Sequence, residues 1–72
     1  MEEQYKIFVF KSTYLTFKAE RALKGARVAC KVVTKPRDIS SDCGLAIRVS
    51  ASDEQAASKI MGDSGITSLG VW

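Results

Sequence analysis

The sequence predicts an α+β sandwich, in which a four-stranded antiparallel sheet carries two helices on one face. Three observations lead there. Four short segments are rich in β-branched and aromatic residues. Two segments between them carry apolar residues at helical spacing. Their order along the chain is β-α-β-β-α-β.

Residues 5–10, Tyr-Lys-Ile-Phe-Val-Phe, have the composition strands prefer. Alternation sets Tyr5, Ile7 and Val9 on one face and Lys6, Phe8 and Phe10 on the other. Ser12 or Thr13 can cap the helix that follows. Its apolar stripe is Leu15, Ala19, Ala22 and Leu23, and Gly25 stands where a glycine ends a helix. A second strand, residues 27–33, turns Val28, Cys30 and Val32 to one side, and Lys35-Pro36-Arg37 breaks it. A polar loop fills residues 34–43. The third strand, residues 44–50, points Leu45, Ile47 and Val49 inward. Ser52-Asp53-Glu54-Gln55 reads as a capping box with Ser52 at its head. Ala56, Ala57, Ile60 and Met61 line the second helix, Gly65 ends its turn, and residues 66–71 form the fourth strand.

This is the split βαβ, or ferredoxin-like, arrangement, with spatial strand order 4-1-3-2 in one domain over residues 1–72. The helix-free face is expected to carry Lys6, Phe8, Phe10, Ala29, Lys31, Val33, Ala46 and Arg48. Two phenylalanines among basic residues on an open face suggest a partner surface or a homodimer. A parity error in the first strand would bury them instead.

Composition limits the chemistry. With 72 residues and no His, Ser-His-Asp and Cys-His catalysis are excluded. Two cysteines and no histidine do not make a Cys/His zinc site, and they are too few for a disulfide-built scaffold. No carboxylates pair at a spacing that would share one cleft. Gly62-Asp63-Ser64-Gly65 is too short to cradle a phosphate. Autonomous catalysis is not expected, and nothing calls for a cofactor or a metal. The longest apolar run, Ile7-Phe8-Val9-Phe10, is far short of the roughly 20 residues of a membrane span. An acidic Met1-Glu2-Glu3 start without an apolar stretch behind it does not read as a signal peptide. A cytoplasmic setting with reduced thiols is the expectation.

The net charge of +3 is unevenly spread. Residues 4–37 hold nine basic residues against Glu20 alone, a net +8, whereas residues 38–72 sum to −3. Such asymmetry points to a basic surface and an anionic partner.

The cysteines differ. Cys30 lies inside a strand, in step with Val28 and Val32, and reads as a small core hydrophobe. Cys43 closes a polar loop, after Ser40-Ser41-Asp42 and before Gly44, which permits close approach by another molecule. A disulfide between them is not expected. The hairpin sets Cys43 opposite about Thr34, four residues or about 13 Å from Cys30, whereas bridged Cα atoms lie within about 7 Å. The topology is expected to bring Cys43 close to Lys11, Ser12 and Thr13 at the start of the first helix, where backbone N–H groups favour an anion. Lys35 and Arg37 add positive charge from the loop and would lower the thiol pKa. Asp42 and Asp38 oppose them, so the direction of the shift stays open. A thiolate without a histidine can still accept sulfur or selenium as a persulfide or selenosulfide. An inert loop cysteine is the alternative.

The segment Pro36-Arg37-Asp38-Ile39-Ser40-Ser41-Asp42-Cys43-Gly44 resembles the signature of the selenium/sulfur carrier-like proteins, a small bacterial and archaeal family. The likeness extends to Phe10-Lys11-Ser12-Thr13 and Ala19-Glu20, and covers nearly the whole chain. The basic first helix, with Lys18, Arg21 and Lys24, and the end at Trp72 depart from the pattern. The resemblance implies that Cys43 carries the sulfur or selenium atom, with Arg37, Ser40, Ser41 and Gly44 as the motif positions around it. On this reading Arg37, with Lys35 or Lys11, stabilises the terminal anion. The partners would be a cysteine desulfurase or selenocysteine lyase-type donor and an acceptor enzyme.

Two other classes compete. The β-α-β-β-α-β order is also that of RNA-binding RRM domains, but the third strand, Gly44-Leu45-Ala46-Ile47-Arg48-Val49, lacks the aromatics that stack bases. A regulatory interaction domain, dimeric through Phe8 and Phe10, is the other.

Overall fold

A computed structural model describes residues 4–37, 39 and 44–72. The elements run β1 (Tyr5–Val9), α1 (Thr13–Gly25), β2 (Cys30–Thr34), β3 (Leu45–Ser50), a 3₁₀ turn (Ala51–Asp53), α2 (Glu54–Asp63) and β4 (Gly70–Val71). The strands form one antiparallel sheet in the order β2-β3-β1-β4, as expected for the ferredoxin-like fold.

One face of the sheet carries both helices. Phe8, Phe10, Ile47 and Val49 pack there against Ala19 and Leu23 of α1 and Ala57 and Met61 of α2. Leu15, Ala22 and Ile60 complete the predicted stripes at the margin of this core, whereas Ala56 is exposed.

The parity of the first strand therefore needs correction. Phe8 and Phe10 are 1% and 0% exposed and belong to the helix-covered core, not to the open face. Register fixes this: Phe8 lies opposite Ile47, and Ile7 lies opposite Arg48. Bulky rings fill the gap between sheet and helices, and Lys6, on the same parity, stays half-buried beside them. The open face instead carries Tyr5, Ile7 and Val9 beside Ala46 and Arg48 of β3 and Lys31 and Val33 of β2.

Both helices end in the same motif. In α1, the Val28 N–H donates to the Leu23 carbonyl (2.9 Å) and the Arg27 N–H to that of Lys24 (3.0 Å). In α2, Ile66 donates to Met61 (2.8 Å) and Gly65 to Gly62 (3.1 Å). Leu23 with Val28, and Met61 with Ile66, supply the apolar contact of a Schellman cap. The left-handed position is Gly65 in α2, at φ 73°, but Arg27 in α1, at φ 63°. Gly25 thus falls two residues early, inside the helix, and the closing turn delays β2 from residue 27 to Cys30. Likewise Ile66 belongs to the cap, so β4 begins at Gly70 and not at residue 66.

A left-handed non-glycine residue costs roughly 1–2 kcal/mol. Arg27→Gly is therefore expected to stabilise the fold by about 1 kcal/mol, and Gly65→Ala to destabilise it by a similar amount. Urea unfolding of the two variants reads both shifts.

At the helix starts, the Ser12 side chain accepts from the Leu15 N–H (3.2 Å), as expected of a cap. The capping box of the second helix is not made. Ser52 sits within the 3₁₀ turn, its hydroxyl 3.1 Å from that of Ser50, and α2 starts from Asp53 without a side-chain cap. A tight turn continues β3 directly into α2 and takes the place of the extended residue such a box requires. Among the described residues, no helix is long and apolar enough to cross a membrane.

Candidate functional site

The motif loop joins β2 to β3. Of its residues the structure describes Lys35, Pro36, Arg37, Ile39 and Gly44. Ser40, Ser41 and Cys43, with Asp38 and Asp42, lie outside the described residues, and so does the expected approach of Cys43 to the start of α1.

The loop base is tied by backbone. Beyond the last paired residues, Thr34 and Leu45, the Lys35 N–H donates to the Gly44 carbonyl (2.9 Å). The Ile39 N–H then donates to the Pro36 carbonyl (3.2 Å), closing a turn through Arg37. The Lys35 ammonium donates to the Ile39 carbonyl across the same turn. Ile39 anchors this turn to the sheet. It is 6% exposed and packs on the helix-free face against Val9 and Ala46, with Ile7 and Val33 alongside. Ala46 is the small residue that leaves room for it. Burying an isoleucine side chain contributes about 1.5–3 kcal/mol, which adds to these two hydrogen bonds in holding the turn.

The positions named from sequence fall into two groups. Lys35, Arg37 and Gly44 gather at the loop base, with Arg37 exposed in the turn. Lys11 is exposed just past β1 and shares the Gly44 end of the sheet, because Val9 lies opposite Ala46. Ser12 and the start of α1 share that end too. Gly44 is exposed, its φ lies outside the left-handed region, and a Cβ there would meet no atom within 4 Å. Among the described residues, nothing packed around that position requires glycine. Ile39 was missed by sequence reasoning. Its signal was an isolated aliphatic side chain in an otherwise polar stretch.

Cys30 stands apart from the loop. It lies opposite Val49, five residues or about 17 Å along β3 from Gly44. It packs against the helix-covered core, with its Sγ 4.0 Å from the Glu20 carbonyl oxygen. Burial raises its pKa above the ordinary 9.0, and the Glu20 carboxylate raises it further against a smaller opposing pull from Lys24. Cys30 is thus a protonated thiol at neutral pH and a poor nucleophile.

A thiol pKa raised by folding stabilises the native state below the unfolded value and loses that contribution as pH rises through the folded value. Wild-type stability is therefore expected to fall more steeply above pH 9.0 than that of Cys30→Ala, as urea titrations across that range would read.

Among the described residues, no three His, Cys, Asp or Glu side chains gather to hold a metal ion. A family model described as "Putative Se/S carrier protein-like" matches residues 4–72. No curated protein and no solved structure matches the chain.

Proposed function

Because the chain belongs to the Se/S carrier protein-like family, we propose that it holds a sulfur or selenium atom on Cys43 and passes it between partner enzymes. The observation that carries this reading is the family match over residues 4–72, which spans the whole Pro36–Gly44 motif. The anchored loop base supports it, since a cargo thiol needs a fixed setting that a partner can reach. The protonated, core-packed Cys30 supports it from the other side by leaving Cys43 as the thiol for cargo.

The step balances without an outside oxidant. The Cys43 thiolate attacks the terminal sulfur of a donor enzyme's persulfide. The new S–S bond forms as the old one breaks, and the donor's cysteine leaves as a thiolate. A donor selenosulfide transfers selenium by the same exchange. A thiolate formed in advance needs no general base, which suits a chain without histidine. The carrier performs no turnover of its own. A cysteine desulfurase or selenocysteine lyase-type enzyme loads it, and an acceptor enzyme unloads it, in a compartment such as the cytoplasm where thiols stay reduced.

Arg37 and Lys11 offer cations to the terminal anionic atom. Lys35, on the same loop, gives one of its three donors to the Ile39 carbonyl. Ser40 and Ser41 supply hydroxyl donors. Gly44 serves the partner's approach, since no described residue packs so as to require a glycine there. Gly44→Ala is therefore expected to change stability by no more than about 0.5 kcal/mol. It should slow loading by up to about 100-fold, the cost of misplacing reacting atoms by about 1 Å. Urea unfolding beside a loading time course measures both.

Incubation with a cysteine desulfurase and cysteine, or with a selenocysteine lyase and selenocysteine, followed by intact mass analysis, tests the reading. One added sulfur or selenium atom, removed by reductant, is expected. An unchanged mass with both donors overturns it.

A further inference from the structure

The corrected parity of β1 gives the open face a composition that strand alternation had hidden. Ile7 lies opposite Arg48, and Arg48 lies opposite Lys31. On the other side Trp72 exchanges both backbone hydrogen bonds with Ile7, at 2.7 and 2.8 Å. Lys31, Arg48, Ile7 and Trp72 therefore form one row across the sheet, about 14 Å from end to end at the usual strand spacing.

Two aromatic rings accompany the row. A Cβ on Gly70 would lie 2.7 Å from the Trp72 ring, so the indole rests on the sheet over Gly70. Gly70 pairs with Val9, whose side chain packs beneath Ile39, so the indole lies on the helix-free face. Tyr5, two residues from Ile7, occupies the same face with the Arg48 guanidinium 4.2 Å from its ring centroid. Tyr5 and Trp72 are 42% and 50% exposed. A shallow cavity of about 250 Å³ opens where Tyr5, Lys31, Arg48 and Ser50 meet. Among the described residues, no strand carries an Asp or Glu.

We propose that this face binds single-stranded nucleic acid, with bases stacked on Trp72 and on the Tyr5–Arg48 pair and phosphates held by Lys31 and Arg48. Half-exposed rings presented on a flat sheet offer π faces to bases, and neighbouring cations track a phosphate backbone. The apolar part of the face is already occupied by Ile39, which leaves rings and cations as the contact surface and favours this ligand over an apolar protein segment. A second copy would set Lys31 and Arg48 against the same cations. The aromatics that the third strand lacks are supplied by β1 and by the residue after β4. The site stands independently of the carrier reading.

Trp72 is the sole tryptophan, so its fluorescence reports on the site directly. Labelled 12-nucleotide oligouridine RNA and oligothymidine DNA serve as probes in low salt. Binding by anisotropy and quenching of Trp72 are expected with both, because stacking and phosphate contacts are common to them. Trp72→Ala is expected to weaken binding about 10-fold, within the range for one lost stack, whereas Trp72→Phe keeps most of it. Lys31→Ala should reduce the salt slope by about 0.7. Cys43→Ser should bind like the wild type, which separates this proposal from cargo chemistry. Absence of binding to either probe overturns the proposal. So does binding that Trp72→Ala and Lys31→Ala leave intact, or binding lost instead in Lys18→Ala with Arg21→Ala on α1.

Discussion

Phe10→Ala is expected to unfold the protein. The ring is fully buried between sheet and helices, among Ala19, Leu23, Ile47 and Met61. Truncating a buried phenylalanine costs about 3–5 kcal/mol. A single core in a chain of this length supplies only about 3–5 kcal/mol in total. Circular dichroism at 25 °C should show loss of the native signal in the absence of denaturant. Ile7→Ala, at a half-buried position on the other face, should keep a cooperative urea transition. A Phe10→Ala protein within about 1 kcal/mol of wild type would contradict the assignment of this residue to the main core. For the same reason, Phe8→Lys and Phe10→Lys report on folding and carry no information about association.

That result bears on how far the sequence could be read. Element order, strand order and the inward sets of the second and third strands were legible, because each strand showed one consistently apolar side. The first strand did not. Tyr5-Ile7-Val9 and Lys6-Phe8-Phe10 are both largely apolar, and the structure explains why. Val9 is fully buried as well, beneath Ile39, in a second small cluster on the helix-free face. A strand buried on both sides loses the alternation that assigns its parity. Ile39 reached that face from a loop, and loop packing leaves no periodic trace. The helix ends were readable only in part, since Arg27 adopts the left-handed conformation that composition assigns to glycine.

The candidate site was legible as a motif more than as a geometry. Pro36-Arg37 and Cys43-Gly44 stand out in the sequence, and the family match covers them. What composition did not reveal is that Lys35 is tied into its own loop and that the loop is pinned to the helix-free face through Ile39. Nor did strand patterning find the row that ends in Trp72, because that pairing depends on the register of a strand only two residues long.

The second large effect concerns the cysteines themselves. Cys43→Ser is expected to abolish loading with sulfur or selenium altogether, because a serine hydroxyl forms no S–S or S–Se bond. Cys30→Ala should load to the wild-type extent, since a protonated, core-packed thiol contributes no nucleophile at neutral pH. Peptide-level mass spectrometry of the wild-type protein after incubation with a donor enzyme tests the central claim most directly. The account predicts one added sulfur or selenium atom on the peptide containing Cys43, reversed by reductant, and none on the peptide containing Cys30. Cargo on Cys30, or undiminished loading of Cys43→Ser, would contradict it.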